Sequence, residues 1–268
     1  MVARDVFHLR VYSRAINIYM RERECGVHNM NFDDIKTIQL YPTDHLFRDS
    51  ERLILCGASR TGKTYLVENL VLRFAHRFYK IVLCGNRNRL LDFPQTREIT
   101  EFYGGTSDDC GIYDPWTEIG AYDLKKNKNK DKNLLVIFDD MMETIYRSAI
   151  VSKCFSKGRH FGISTIVLLQ SYFPTGSRTN LWPQIRNNST IQIFTKARSQ
   201  GEIGNIASRL EYGKKYKDFF VALYKKLVQD KRYGYLLVML DCSDYRLKYS
   251  TNVVYEDKSP YLTVHILN

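Results

Sequence analysis

The stretch Leu53-Ile54-Leu55-Cys56-Gly57-Ala58-Ser59-Arg60-Thr61-Gly62-Lys63-Thr64 decides the reading of this chain. Four apolar residues run straight into G-x-x-x-x-G-K-[ST], and Leu66, Leu70 and Phe74 then recur at four-residue spacing. A short apolar strand, a glycine-bearing loop and a helix expected over about 62–78 form the strand–loop–helix unit that cradles phosphates. Gly57 and Gly62 allow backbone conformations that other residues reach only with strain, so successive N–H groups can face inward. Those N–H groups, on Gly57, Ala58, Ser59, Arg60, Thr61, Gly62, Lys63 and Thr64, meet phosphate oxygens together with the positive end of the helix. Lys63 adds a point charge for the β- and γ-phosphates, and the Thr64 hydroxyl is placed to ligate Mg²⁺.

Working outward, further apolar runs follow at 81–84, 134–138, 163–169 and 190–194, separated by helical or loop-rich segments. Short continuous apolar strands alternating with helices predict an α/β fold, a central mostly parallel sheet covered on both faces. Residues 1–50 read as an N-terminal extension containing a possible helix over 7–20. Residues 51–210 read as the phosphate-loop core. Residues 211–268 read as a C-terminal part with helical character over 214–230 and strands near 235–240 and 251–255, packed on the core.

Leu134-Leu135-Val136-Ile137-Phe138 ends in Asp139-Asp140. In a parallel sheet the C-terminal strand ends lie beside the phosphate loop, where ligands bind. Asp139 is the candidate to hold Mg²⁺, and Asp140 to orient or deprotonate an attacking water. The next strand, Ile163-Ser164-Thr165-Ile166-Val167-Leu168-Leu169, ends in Gln170, which can hydrogen-bond the γ-phosphate or its water. Just before that strand comes Lys157-Gly158-Arg159-His160-Phe161, where Arg159 can stabilise charge on a transferring phosphoryl group.

Global features narrow the classes. The chain has 268 residues, with 40 Lys+Arg against 29 Asp+Glu, a net +11 that favours a polyanionic partner. The 44% apolar content is enough to bury a core and excludes a mostly disordered chain. Six separated cysteines without a C-x-x-C pair speak against a zinc ribbon and fit reduced thiols in an intracellular protein. No run approaches the length of a spanning helix, so no membrane partner is expected. A guanine-reading N-K-x-D is absent: Asn127-Lys128-Asn129-Lys130 fails at its last position, and Asp108-Asp109-Cys110-Gly111 reads as a turn.

The segments GASRTGKT (57–64), LLVIFDD (134–140), GRHFGISTIVLLQ (158–170) and LWPQIRNNSTIQIF (181–194) together resemble the poxvirus-type viral genome-packaging ATPases of the FtsK–HerA superfamily, as found in virophages and Maverick/Polinton elements. The likeness covers about 53–210. The strand-end Gln with Gly-Arg-His and Ile-Arg-Asn is more specific than the phosphate loop, which many families share. The resemblance implies ATP hydrolysis that drives double-stranded DNA through a ring, usually a homo-hexamer, into a preformed capsid. Implied partners are DNA, further copies of the chain, and capsid portal or vertex proteins, in a viral factory or virion. Lys63, Thr64, Asp139, Asp140 (often Glu in relatives) and Gln170 take the matching roles. Arg159 is the first choice, and Arg186 the second, for an arginine reaching the neighbouring subunit. A HerA-like cellular translocase or helicase is the nearer alternative, and an ATP-binding switch with little hydrolysis the other.

Two basic stretches are candidates for DNA contact: the lysine run at 125–132, and 209–232, with eight Lys/Arg against three acids and aromatics between them.

Overall fold

The computed structural model describes residues 35–40 (backbone only), 50–85, 94–104, 112–116, 133–173, 180–229, 231–241, 248–251 and 262–267. The possible helix at 7–20, the lysine run at 125–132, the sequence Asp108 to Gly111 and residues 252–255 lie outside these. Among the described residues ten strands form one sheet: β1 (Ile35–Leu40), β2 (Arg52–Cys56), β3 (Phe78–Cys84), β4 (Thr100–Tyr103), β5 (Asn133–Phe138), β6 (Ile163–Leu169), β7 (Ile191–Phe194), β8 (Leu236–Met239), β9 (Tyr249–Thr251) and β10 (Leu262–Leu267). Their order is β1-β10-β9-β8-β7-β2-β6-β5-β3-β4. The six strands β7-β2-β6-β5-β3-β4 pair in parallel, and β8, β9, β10 and β1 extend the sheet antiparallel from β7.

The helices are α1 (Lys63–Phe74), α2 (Met142–Arg147), α3 (Ala149–Lys157), α4 (Trp182–Asn187), α5 (Gln200–Leu210) and α6 (Lys214–Tyr224). The spacing that predicts α1 holds: Leu66, Val67, Leu70, Val71 and Phe74 bury one stripe. They join a cluster with Leu53, Leu55, Ile81, Leu83, Leu135, Ile137, Ile166 and Leu168. The intervening residues Ile54, Val82, Val136 and Val167 are equally buried, so the parallel strands are covered on both faces. The helix is shorter than expected: α1 stops at Phe74, a 3₁₀ turn covers Ala75–Arg77, and Phe78 opens β3. The apolar Phe78 feeds both patterns, and the sheet takes it. The loop-rich stretch after Cys84 contains an unforeseen strand, β4, because Thr100-Glu101-Phe102-Tyr103 is exposed along most of its length and carries no apolar run. Its parallel pairing to β3 and a Lys80–Glu101 ion pair of 2.9 Å hold it.

Ser148 and Ser199 cap α3 and α5, accepting from the N–H groups of Val151 and Glu202. In and just before α6 the aromatics divide: Phe219, Phe220 and Tyr224 are buried, while Tyr212 and Tyr216 stay exposed, as do Lys214 and Lys215. The helix widens into a π turn over Lys225–Gln229. Among the described residues no helix is long and apolar enough to cross a membrane.

Candidate functional site at the C-terminal strand ends

The phosphate loop is suspended between two neighbouring strands. Gly57 N–H donates to Leu169 O at 3.1 Å, and Ala58 N–H to Lys196 O at 2.7 Å. Thr61 donates to Ala58 O at 2.8 Å, and its hydroxyl lies 2.7 Å from that of Thr195. Gly57 is required by packing: a Cβ there would fall 1.9 Å from Thr195 Oγ1. Gly62 is required by conformation, with φ +86°, and Arg60 shares the left-handed region at φ 62°. Leu66 N–H then donates to Gly62 O at 2.9 Å, starting the helical ladder.

Lys63 crosses the loop and donates from Nζ to the carbonyls of Gly57 and Ala58, each at 2.7 Å. Burial lowers the pKa of its ammonium, opposed by the nearby carboxylates of Asp139 and Asp140. Asp139 follows β5, and its N–H donates to Cys84 O at 2.9 Å. Burial, then the adjacent Asp140, push its carboxyl up to about 6, with Lys63 opposing. Asp140 is exposed and left-handed at φ 52°, a conformation that Asp adopts more readily than Glu. This gives a local reason for Asp at this position.

Gln170 touches this carboxylate directly: its Nε2 donates to Asp140 Oδ1 at 2.6 Å. Its Oε1 accepts from Arg198 Nη2 at 2.8 Å. Arg198 leaves β7, and its N–H donates to Glu202 Oε2 at 3.3 Å, while Glu202 Oε1 accepts the Tyr172 N–H at 3.0 Å. A chain Arg198–Gln170–Asp140 thus joins the exits of β7, β6 and β5. Arg198 was missed in the sequence reading because it belongs to no motif; its signal is a cation a few residues beyond the fifth apolar run, 190–194. Tyr233 was missed as well. Its ring lies 3.1 Å from where a Cβ on Gly62 would stand, and Arg232 lies over that ring at 5.2 Å. Part of the basic 209–232 stretch therefore comes to the phosphate loop.

The oxygen donors fit Mg²⁺. Thr64 offers an exposed hydroxyl at the start of α1, and Asp139 a carboxylate whose charge burial disfavours and a cation would favour. Among the described residues no three His, Cys, Asp or Glu side chains form a self-sufficient metal cage.

Arg159 and Arg186 lie elsewhere. They line a pocket of about 360 Å³ with Arg52, Arg209, Gln192, Asp241 and neighbouring residues. Arg52 opens β2 and Arg159 precedes β6, whereas Gly57 and Gln170 follow those same strands. The length of β2 alone separates the two ends by about 16 Å. Within one chain the two arginines are therefore at the opposite end of the sheet from the phosphate loop.

The model of the family described as Poxvirus A32 protein matches residues 39–193, more than half of the chain. No curated protein matches. Among solved structures, the genome packaging NTPase B204 of Sulfolobus turreted icosahedral virus 2 with ATPγS is 19% identical, with 72% of this chain and 93% of that chain covered and a TM-score of 0.47. The pCW3 conjugation coupling protein TcpA with ATPγS is 12% identical, covering 82% and 68%, with a TM-score of 0.48. The cytoplasmic domain of EssC is 17% identical, covering 57% and 32%, with a TM-score of 0.39.

Proposed function

The chain belongs to the Poxvirus A32 protein family, a family of viral genome-packaging ATPases, and from that premise we propose how its residues divide the work of an ATP-driven DNA motor. The observation that carries the reading is the convergence of the phosphate loop, Asp139, Asp140 and Gln170 at one end of the adjacent strands β2, β6 and β5.

The loop N–H groups and the α1 N-terminus bind the ATP phosphates, and Lys63 exchanges its two loop carbonyls for β- and γ-phosphate oxygens. Thr64 and Asp139 would hold Mg²⁺, which supplies positive charge to the phosphate oxygens. Asp140 orients water and accepts its proton as the water oxygen bonds to the γ-phosphorus. The bond to the β–γ bridging oxygen breaks, giving ADP and phosphate. Gln170 holds Asp140 in place and senses the γ-phosphate, and Arg198 fixes the opposite end of the Gln170 amide. Tyr233 flanks the loop as an aromatic surface for the nucleotide.

Arg159, with Arg186 as the second choice, serves a neighbouring copy in a ring, read as a hexamer. Its position at the far end of the sheet excludes its own loop. Lys214, Lys215 and the 125–132 run supply phosphate-neutralising charge for double-stranded DNA, without sequence readout. Capsid portal or vertex proteins are the partners at the packaging site.

ATP turnover with and without duplex DNA, across a salt series, tests this reading. DNA should raise turnover, salt should erase the increase, and Lys63→Ala and Asp140→Asn should abolish both. Turnover unchanged in both variants would remove the catalytic assignment.

A further inference from the structure

The pocket at the N-terminal strand ends holds more positive charge than a single reaching arginine needs. Among the described residues Arg52, Arg159, Arg186 and Arg209 line it, with Asp241 as the one acid. They come from β2, the turn after α3, α4 and α5, so only the fold assembles them. Among the described residues none of the four forms an ion pair. Arg186 reaches the amide of its neighbour Asn187 at 3.3 Å, and Arg159 the ring of His160 at 3.4 Å. Like charges gathered in a concave site repel unless an anion joins them.

Arg52 gives the independent sign. It is 7% exposed. One guanidinium nitrogen donates to Phe155 O at 3.3 Å, but its buried Nε has no hydrogen-bond partner. A buried guanidinium N–H without an acceptor is costly, and native structures rarely leave one. Burial, then Arg159, lower the Arg52 pKa, with the charges of Glu51 and Asp241 opposing. The pocket wall is polar and fixed: fully buried Gln192 accepts from Tyr172 and donates to Ser189. It offers both donors and charge at depth.

We propose that this pocket is a second anion site of the chain, binding a terminal phosphate group on Arg52, Arg159, Arg186 and Arg209. A terminal phosphate carries close to two negative charges and can protrude to a buried arginine. A diester on the broad convex surface of duplex DNA carries one charge and cannot follow it inward. Two sources share the required chemistry: free phosphate, and the nucleotide of an adjoining subunit. Binding itself is independent of the motor reading; only the second source rests on it.

The test uses the full chain carrying Lys63→Ala, without nucleotide, and measures binding of inorganic phosphate by equilibrium dialysis. Phosphate should bind, and adding Arg209→Gln should weaken it about tenfold, the effect of losing one charge-assisted contact. Arg209 is exposed on α5, so this variant should fold even if Arg52→Gln does not. Phosphate affinity unaltered by Arg209→Gln would overturn the proposal, because that phosphate would be on the distant loop. With Lys63 intact, Mg–AMPPNP that displaces the Arg209-dependent phosphate identifies the adjoining nucleotide as the source. Undiminished phosphate binding identifies free phosphate. Displacement by a short duplex DNA instead would assign the pocket to phosphodiesters and overturn it.

Discussion

The two ends of the parallel strands offer phosphate opposite kinds of contact. At the C-terminal ends the apparatus is mainly backbone: loop N–H groups, a helix terminus, one lysine held on loop carbonyls, and two acids. At the N-terminal ends it is side chains, four arginines around a polar pocket and almost no acid. In the proposed mechanism the first end couples phosphate binding to water activation through Asp140, which Gln170 contacts. Among the described residues the second gathers four cations around one carboxylate, Asp241, an arrangement suited to holding an anion and stabilising its charge. A ring that brings the second end of one copy against the first end of the next would complete a site that neither end holds alone.

The largest expected effect separates the ends. Lys63→Ala should reduce ATP turnover by at least about a hundredfold, the scale of losing one pre-organised electrostatic contact to the reacting group. It should leave Arg209-dependent phosphate binding intact, and parallel loss of both would break the comparison. Next comes the charge on Asp139, whose carboxyl is pushed up to about 6 in the folded chain against an unfolded value of about 3.9. The fold favours the protonated form. Metal-free stability should therefore fall as pH rises from about 4 to 6. Asp139→Asn should be more stable than the parent at pH 7 by up to about 2 kcal/mol, and match it at pH 4. Thermal unfolding at the two pH values measures this, and an equal gain at both would show packing rather than charge.

Arg198→Ala should lower kcat about tenfold with little change in ATP KM, since it acts on Asp140 through Gln170. A double-mutant cycle with Gln170→Ala should show less than additive loss, and full additivity would dissolve the relay. The smallest effect belongs to Tyr233→Ala: a few-fold rise in ATP KM at unchanged kcat, read from steady-state kinetics.

The same contrast explains what was legible in the sequence. The phosphate loop is one contiguous segment whose strand and helix are local, so eight residues disclose it. Asp139, Asp140 and Gln170 each end an apolar run, so the parallel-sheet rule places them on the loop side before any contact is known. Arg198 follows the fifth run, 190–194, only after Thr195, Lys196 and Ala197, and a lone cation outside a motif carries little signal. The arginine pocket joins positions 52, 159, 186 and 209, contacts that no spacing encodes. Arg209 falls in a basic stretch that suggested DNA, yet its neighbours are the two candidate reaching arginines. Strands β1 and β4 were also illegible, because they stand at the two edges of the sheet and need no continuous apolar run, and β10, between β1 and β9, alternates apolar and polar residues over 262–266. Asp140 shows finer detail still: its left-handed backbone is set by the turn out of β5, and only the structure shows that Asp suits it.

The most direct measurement is ATP turnover in rings mixed from two inactive chains, Lys63→Ala and the double variant Arg159→Ala/Arg186→Ala. If the arginine end of one copy completes the phosphate-loop end of the next, mixing restores an intact interface, and DNA-stimulated turnover should rise well above either chain alone. Turnover that stays at the level of the separate variants at every mixing ratio would contradict a site shared between copies.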